Sequence, residues 1–204
     1  MWPALWMMPK RSVYGGWPRS GEIDIMESKG NQNLYSNGRQ IGTEEFGSTL
    51  HFGTETYNSA WWAANMSRRS PAGNGWNRGF HIYQAEWAPT HISFSIDNNW
   101  IGTIPTEAGY FRKGQFQGYN PWANGSIDAP FDQEFFFIFN VAIGGTNGFF
   151  PEDGNNGGKP WRNNAQFPIR DFWNGRNQWL PTWNFNNNGY EMAFVIDYAR
   201  VWAL

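Results

Sequence analysis

The sequence predicts an all-β fold: a sandwich of two curved antiparallel sheets in a single domain spanning residues 1–204. Short alternating or apolar runs recur along the chain, and turns rich in Gly, Pro and Asn separate them, as in β-sandwiches. No apolar spacing typical of a long amphipathic helix occurs, and only single helical turns are expected, at residues 108–112 and 169–173.

The predicted strands follow one another with short connections. The first is an apolar run between two prolines, the second alternates acidic and apolar residues, and the fifth ends at Asp97-Asn98-Asn99, which predicts a hairpin turn into the sixth. A Gly- and Asn-rich stretch at 144–164 is too long for a hairpin turn, and loops of this length are usually functional or disordered. In chain order, the predicted strands are 4–8, 22–27, 48–52, 81–87, 91–96, 100–104, 135–143 and 192–202.

The composition narrows the classes of partner. The chain contains 14 Trp, 8 Tyr and 17 Phe, whereas only 16% of residues are charged. Many aromatic rings suit a protein that stacks on flat, neutral, hydroxyl-rich ligands, although an aromatic core is the alternative for any single Trp. The net charge of -2 indicates neither a nucleic acid nor a membrane surface as partner. No apolar run approaches the ~20 residues of a membrane-spanning helix.

The sequence contains no cysteine. This excludes disulfides, zinc–thiolate sites and thiol nucleophiles together. Two glycosylation sequons, Asn65-Met66-Ser67 and Asn124-Gly125-Ser126, are compatible with export.

The candidate chemistry lies in Glu22-Ile23-Asp24-Ile25-Met26-Glu27. Alternation along a strand places Glu22 and Asp24 on one face and the two isoleucines on the other. Glu27 would then face the core, where an unpaired carboxylate is costly. A β-bulge near Met26 would return Glu27 to the face of the other two acids. Three adjacent carboxylates on one open face cannot all ionise cheaply, so at least one should keep its proton, as a general acid requires. A surface strand with three solvated acids is the alternative.

This motif resembles the E-x-D-x-x-E signature of glycoside hydrolase family 16, in its laminarinase branch of endo-1,3-β-glucanases. The resemblance covers nearly the whole chain, because further segments match in order. It implies a β-jelly roll with a glucan in its concave groove, and a retaining mechanism in which Glu22 is the nucleophile, Glu27 the general acid/base and Asp24 the residue that tunes both. The further matching segments include 2–9, 48–53, 80–83, 86–89, 130–133, 140–145, 171–173, 179–183 and 197–202.

Several residues are predicted to bind substrate around these acids. Trp17 and Trp6 are the expected stacking platforms, and Trp87 is a third unless its strand turns it into the core. Asn140 interrupts an apolar run, so its amide must face the groove or find partners in the core. The resemblance places Asn140 in the cleft and His51 at a cleft position, with a structural histidine as the alternative. Phe149, with its neighbour in the long loop, is expected to wall one end of the groove.

The resemblance also sets expectations for the whole protein. It implies a β-glucan substrate, β-1,3-linked or mixed β-1,3/1,4-linked, for a secreted, monomeric enzyme that requires no cofactor. In related proteins an Asp that matches Asp197 helps to bind a structural Ca²⁺, but the other ligands come largely from an N-terminal segment that is expected to be missing here, so calcium is compatible with the resemblance and is not predicted. The family's first strands are expected to be missing from this chain. The alternative is a non-catalytic β-1,3-glucan recognition protein, which the presence of all three acids disfavours.

Overall fold

The structure is a computed structural model that describes residues 1–56, 58–153, 158–183 and 185–204. Antiparallel strands dominate it, which confirms the all-β prediction. The larger sheet has five strands in the order β10-β1-β2-β5-β6, a second has the order β7-β8-β9, and β3 pairs with β4. The strands are β1 (Trp2–Pro9), β2 (Glu22–Ser28), β3 (Tyr35–Ser36), β4 (Arg39–Gln40), β5 (Glu45–His51), β6 (Asn65–Arg69), β7 (Tyr83–Ala88), β8 (His91–Ile96), β9 (Asn99–Pro105) and β10 (Phe135–Ala142).

Helices are short and lie between or after the strands. The α-helices are α1 (Tyr110–Lys113), α2 (Pro168–Asn174) and α3 (Arg176–Trp179), so the two predicted helical turns are confirmed within one or two residues. Single 3₁₀ segments occupy Trp61–Ala63, Leu180–Thr182 and Asn187–Met192. The predicted hairpin turn is also confirmed, because Asp97 and Asn98 both have positive φ, at 50° and 61°, as a tight turn between twisted strands requires.

The core lies between the five-stranded and the three-stranded sheet. Ile23 and Leu50, from adjacent strands of the larger sheet, pack with Ile92 and Phe94 of β8, and each is no more than 1% exposed. Alternate residues of β8 are buried, which is the period of a strand with one face on a core. The opposite face of β2 is therefore left for the site.

The β-bulge predicted in the second strand is confirmed. The register of β2 shifts against both neighbours, between Asp24 and Glu27 on the β5 side and opposite Leu5 and Trp6 on the β1 side. Met26 is 2% exposed and belongs to a small core cluster with Phe46. The extra residue thus buries Met26 and turns Glu27 away from the core.

The prediction of a strand at residues 192–202 is wrong. A 3₁₀ segment ends at Met192, and the chain continues to Leu204 without pairing to any strand in the described residues. Val201 and Trp202 are 75% and 72% exposed. Alternation of polar and apolar residues gives a segment two faces, but a strand forms only where a partner satisfies its backbone groups. Nearby, the apolar face of β10 lines an open cavity of ≈ 2180 Å³ together with this C-terminal segment.

Candidate active site

The three acids of β2 share one face of the five-stranded sheet. Glu22 lies opposite His51 of β5, and Glu27 lies opposite Ala4 of β1. Directly opposite residues of antiparallel strands project to the same side. Asp24 pairs with Trp6 on one side, so an aromatic ring and a histidine flank the carboxylates on this face. This grouping follows from the bulge, because a regular strand would turn Glu27 into the core.

Glu22 is held by an aromatic residue on one side and a histidine on the other. The Trp17 indole N–H donates to Glu22 Oε2 at 2.7 Å, and His51 Nε2 lies 4.0 Å from Glu22 Oε1. Burial, and next the charge of Asp24, raise the pKa of Glu22 to about 8, although His51 and the Trp17 hydrogen bond oppose the rise. The Glu22 carboxyl therefore holds a proton at neutral pH more readily than a solvated glutamate.

Asp24 lies under this cluster and not on an open surface, which corrects one part of the sequence prediction. Asp24 is 2% exposed, because Thr49 and Trp6 flank it across the neighbouring strands. Burial, followed by the charge of Glu27, raises its pKa. A hydrogen bond also joins Asp24 to Glu22. Two buried carboxyls in such contact share a proton, since ionising both is costly.

Glu27 has a separate set of contacts at the other end of the bulge. The Trp2 indole N–H donates to Glu27 Oε1 at 2.9 Å. Burial raises the pKa of Glu27, and the Trp2 hydrogen bond, the His51 charge and the Lys29 charge lower it. Glu22 and Glu27 thus each accept an indole N–H, from different tryptophans, so the site holds the two carboxyls in different environments. Such separation is what distinct acid and base roles require.

The predicted substrate residues lie in several places. The Trp6 indole N–H donates to Asn140 Oδ1 at 2.7 Å, so these two lie together on the acidic face. The Trp17 and His51 rings are 5.7 Å apart between centroids, beside Glu22. Trp87 instead packs edge-on against Phe135 at the margin of the core. The structure does not bring Trp87 to the carboxylates, and the core placement that the sequence left open is the observed one.

Phe149 lies at the Glu27 end of this face. Its ring stacks on Trp2 with centroids 3.8 Å apart and planes 9° apart. Lys29 Nζ lies 3.9 Å from the Phe149 centroid, within the range of a cation–π contact. The neighbouring Phe150 is buried and meets Trp2 edge-on. The described part of the long 144–164 loop is therefore anchored beside Glu27 by aromatic packing.

Sequence reasoning missed two residues of the site. Trp2 donates to Glu27, and the signal was available, because Trp2 and Trp6 are four residues apart on one strand and so share a face. Ser59 Oγ lies 3.0 Å from His51 Nδ1, from the connection between β5 and β6. No local pattern marks Ser59, since only the fold brings this connection back to His51.

Calcium at Asp197 stays as the sequence left it, compatible with the resemblance but not predicted. This residue is exposed in the unpaired C-terminal segment. Among the residues that the structure describes, the one group of three or more His, Cys, Asp or Glu side chains able to hold a metal ion is Glu22, Asp24 and His51.

Comparison with known proteins decides the family. The model of the glycosyl hydrolases family 16 matches residues 1–122, which contain all three acids and both indole donors. The chain belongs to this family. It is 38% identical over 216 residues to a beta-1,3-glucan-binding protein of Penaeus monodon, a match that covers 100% of this chain and 55% of that protein. It is 35% identical over 168 residues to a glucan endo-1,3-beta-glucosidase of Cryptopygus antarcticus, covering 79% of this chain and 48% of the relative.

A solved structure agrees on the fold. The endo-beta-1,3-glucanase of Pyrococcus furiosus aligns with a TM-score of 0.52 and 23% identity, over 76% of this chain and 48% of that one. This likeness supports the prediction from the sequence that the antiparallel sheets of this family 16 chain form a jelly roll. The chain spans about half the length of the relatives described here. Within the described residues, no helix has the length and apolar character needed to cross a bilayer.

Proposed function

We propose that this family 16 chain is a retaining endo-hydrolase of β-1,3-glucan, or of mixed β-1,3/1,4-glucan. The observation that carries the proposal is the bulge in β2, which brings Glu22, Asp24 and Glu27 to one face and gives Glu22 and Glu27 separate indole donors. Retaining glycosidases use two carboxyls in different protonation states on either side of the scissile bond. The β-1,3-glucan-related names of the relatives support the choice of substrate.

The proposed reaction is a double displacement. Glu22, as carboxylate, attacks the anomeric carbon while Glu27 protonates the departing glycosidic oxygen, which leaves a glycosyl ester on Glu22. Glu27 then takes a proton from water, and the water oxygen attacks the same carbon and releases Glu22. Two inversions give net retention. Asp24 takes up the proton it shares with Glu22 when Glu22 attacks, so the nucleophile is ionised only when it is needed.

Substrate binding is proposed on the same face. Trp6 and Trp17 offer rings for the C–H faces of sugars, and the Asn140 amide and His51 offer hydrogen bonds to hydroxyls. A glucan carries no charge, so these contacts need no ion pair with the ligand. The protein is also proposed to be an extracellular monomer.

Glucan recognition without hydrolysis is the second candidate, favoured by the glucan-binding name of the Penaeus monodon relative. The test is incubation of the protein with laminarin, with reducing ends and the anomeric configuration of new ends followed by NMR. The β-anomer appearing first supports retention, and the α-anomer appearing first would rule it out. Retardation of the protein in a laminarin gel without new reducing ends would favour recognition alone.

The roles of the two glutamates are tested with azide. Glu22→Ala opens space beside the sugar while Glu27 remains an acid, so azide should attack directly and give an α-azide. Glu27→Ala leaves the nucleophile, so an aryl glycoside should still form the intermediate, and azide should give a β-azide. On natural glucan, Glu27→Ala should be ~10²–10⁴-fold slower, the usual value of acid/base assistance. The opposite pair of azides would reverse the assignment.

A further inference from the structure

We propose that the catalytic face is also a binding site for a divalent transition metal ion, with Zn²⁺ as the representative, and that the bound ion blocks hydrolysis. The ligands are Glu22, Asp24 and His51. Their ligand atoms all lie within 4.8 Å of one another. The inference concerns the same residues as the proposed hydrolase, but the metal site requires only their geometry.

The ligand atoms lie at nearly the separation that a metal ion requires. Zinc binds imidazole nitrogen and carboxylate oxygen at about 2.0–2.2 Å, so neighbouring ligands in a tetrahedral site lie about 3.3 Å apart. His51 Nε2 is 3.1 Å from Asp24 Oδ2 and 4.0 Å from Glu22 Oε1. The first pair already has the required separation. The second pair requires a rotation of the Glu22 side chain, whose Oε1 is not the oxygen that accepts from the Trp17 indole.

One carboxylate oxygen of Asp24 is buried without a hydrogen bond. Asp24 is 2% exposed, and its Oδ2 accepts no hydrogen bond, although His51 Nε2 lies 3.1 Å away. A buried carboxylate oxygen without a donor is costly. An ion between Oδ2 and Nε2 would satisfy both atoms at once.

The His51 imidazole has a hydrogen-bond partner on the side away from the carboxylates. Ser59 Oγ lies 3.0 Å from His51 Nδ1. When Nδ1–H donates to Ser59, the lone pair of Nε2 points to the two carboxylates. Metal-bound histidines almost always donate their second ring N–H in this way, which fixes the tautomer. A mixed nitrogen and oxygen donor set favours Zn²⁺ or Cu²⁺ over Mg²⁺ or Ca²⁺, which prefer oxygen ligands alone.

The consequence is competition between the metal ion and the glucan. An ion on Glu22 occupies the lone pairs that would attack the anomeric carbon, and its added ligands would fill the space of the sugar ring. Zn²⁺ should therefore inhibit hydrolysis in competition with laminarin, whereas Mg²⁺ at the same concentration should have no effect. Chelators should not lower activity.

The decisive experiment is titration of the metal-free full chain with Zn²⁺ by isothermal calorimetry. Wild type should bind one ion at this site, His51→Gln should weaken that binding by at least about 100-fold, and Ser59→Ala by about 10–100-fold as a partner of a ligand. His91→Gln is the matched control. His91 also contacts a carboxylate, at 2.9 Å from Glu86 Oε1, but lies outside the site and should leave this binding unchanged.

Two further measurements keep the test independent of folding and of catalysis. Far-UV circular dichroism checks that His51→Gln is folded. If that variant does not fold, Asp24→Asn, which keeps the side-chain shape, replaces it and should also lose affinity for Zn²⁺. Equal Zn²⁺ affinity in wild type, His51→Gln and Asp24→Asn would overturn the inference. Zn²⁺ binding in a protein that releases no reducing ends would leave the metal site standing but remove both the proposed hydrolase and its inhibition. Hydrolysis without Zn²⁺ binding would leave the hydrolase and remove the metal site.

Discussion

Replacing Glu22 with Gln should stabilise the protein, and the gain should grow with pH. Gln has nearly the shape of protonated Glu, so it can still accept from the Trp17 indole and donate to Asp24. In the folded wild type, the pKa of Glu22 rises from 4.5 to about 8. Because the folded state keeps a proton that the unfolded chain releases, wild-type stability is undiminished below about pH 4.5 and falls as pH rises towards 8. The Gln variant has no such loss.

The magnitude follows from the size of the rise. One pKa unit corresponds to about 1.4 kcal/mol, so a rise from 4.5 to about 8 sets an upper limit of about 5 kcal/mol at pH 8. The Glu22 side chain is 17% exposed, so solvent screens it only in part. Asp24 and Glu27 remain in the variant and contribute their own pH dependence, which cancels in the comparison only to first order.

The assay is urea unfolding of wild type and Glu22→Gln at pH 5, 6.5 and 8, followed by tryptophan fluorescence and by circular dichroism. The difference in unfolding free energy should increase at each step of pH, with equal m-values. Glu55→Gln is the control, since Glu55 is 71% exposed and lies 3.2 Å from Arg19. A difference between Glu22→Gln and wild type that stays constant from pH 5 to 8 would refute the buried, proton-holding Glu22.

Three further predictions concern other parts of the site. Trp2→Phe keeps the ring but loses the N–H that lowers the pKa of Glu27, so the limb of the pH–rate profile that reports Glu27 should move to higher pH; an unmoved limb would mean that the hydrogen bond is absent in solution. Met26→Ala should cost about 2–5 kcal/mol in urea unfolding, because Met26 is a buried core residue; a cost below 1 kcal/mol would place it outside the core. Trp17→Ala should weaken laminarin binding by ~1–3 kcal/mol, by analogy with aromatic stacking on bases, and binding by wild type should change little with salt. A steep salt dependence would indicate a charged substrate.

The part of the site that sequence could predict is the part governed by local physics. The cost of burying Glu27 predicts a bulge within two residues of its position, and the register shift between Asp24 and Glu27 confirms it. The contacts of the indoles could not be predicted in this way. Trp17 was expected as a stacking ring, yet its N–H is also committed to Glu22. The direction of an N–H depends on the side-chain rotamer and on packing from elsewhere in the chain.

Non-local pairing explains the other differences. The contact of Ser59 with His51 depends on how the connection after β5 folds back, and eight residues separate the two in sequence. The segment at 192–202 has the alternation of a strand but no partner strand among the described residues. The strand that contains Trp87 could be predicted from the sequence. Which face of that strand is buried depends on how the second sheet packs. Its observed contact is with Phe135, across the core.

The energetics of the cluster bear on the choice between hydrolysis and recognition. A neutral glucan needs aromatic rings and amide or hydroxyl partners, which Trp6, Trp17 and Asn140 supply without any carboxylate. Burial of each of the three acids, followed by the charges of the neighbouring acids, raises the pKa of all three and therefore lowers stability at neutral pH. Strained or destabilised groups of this kind are retained where activity depends on them. A protein that only recognised glucan would gain stability by replacing one of these acids with its amide, without losing a contact to the sugar chain. The retention of all three carboxyls therefore supports hydrolysis over recognition alone.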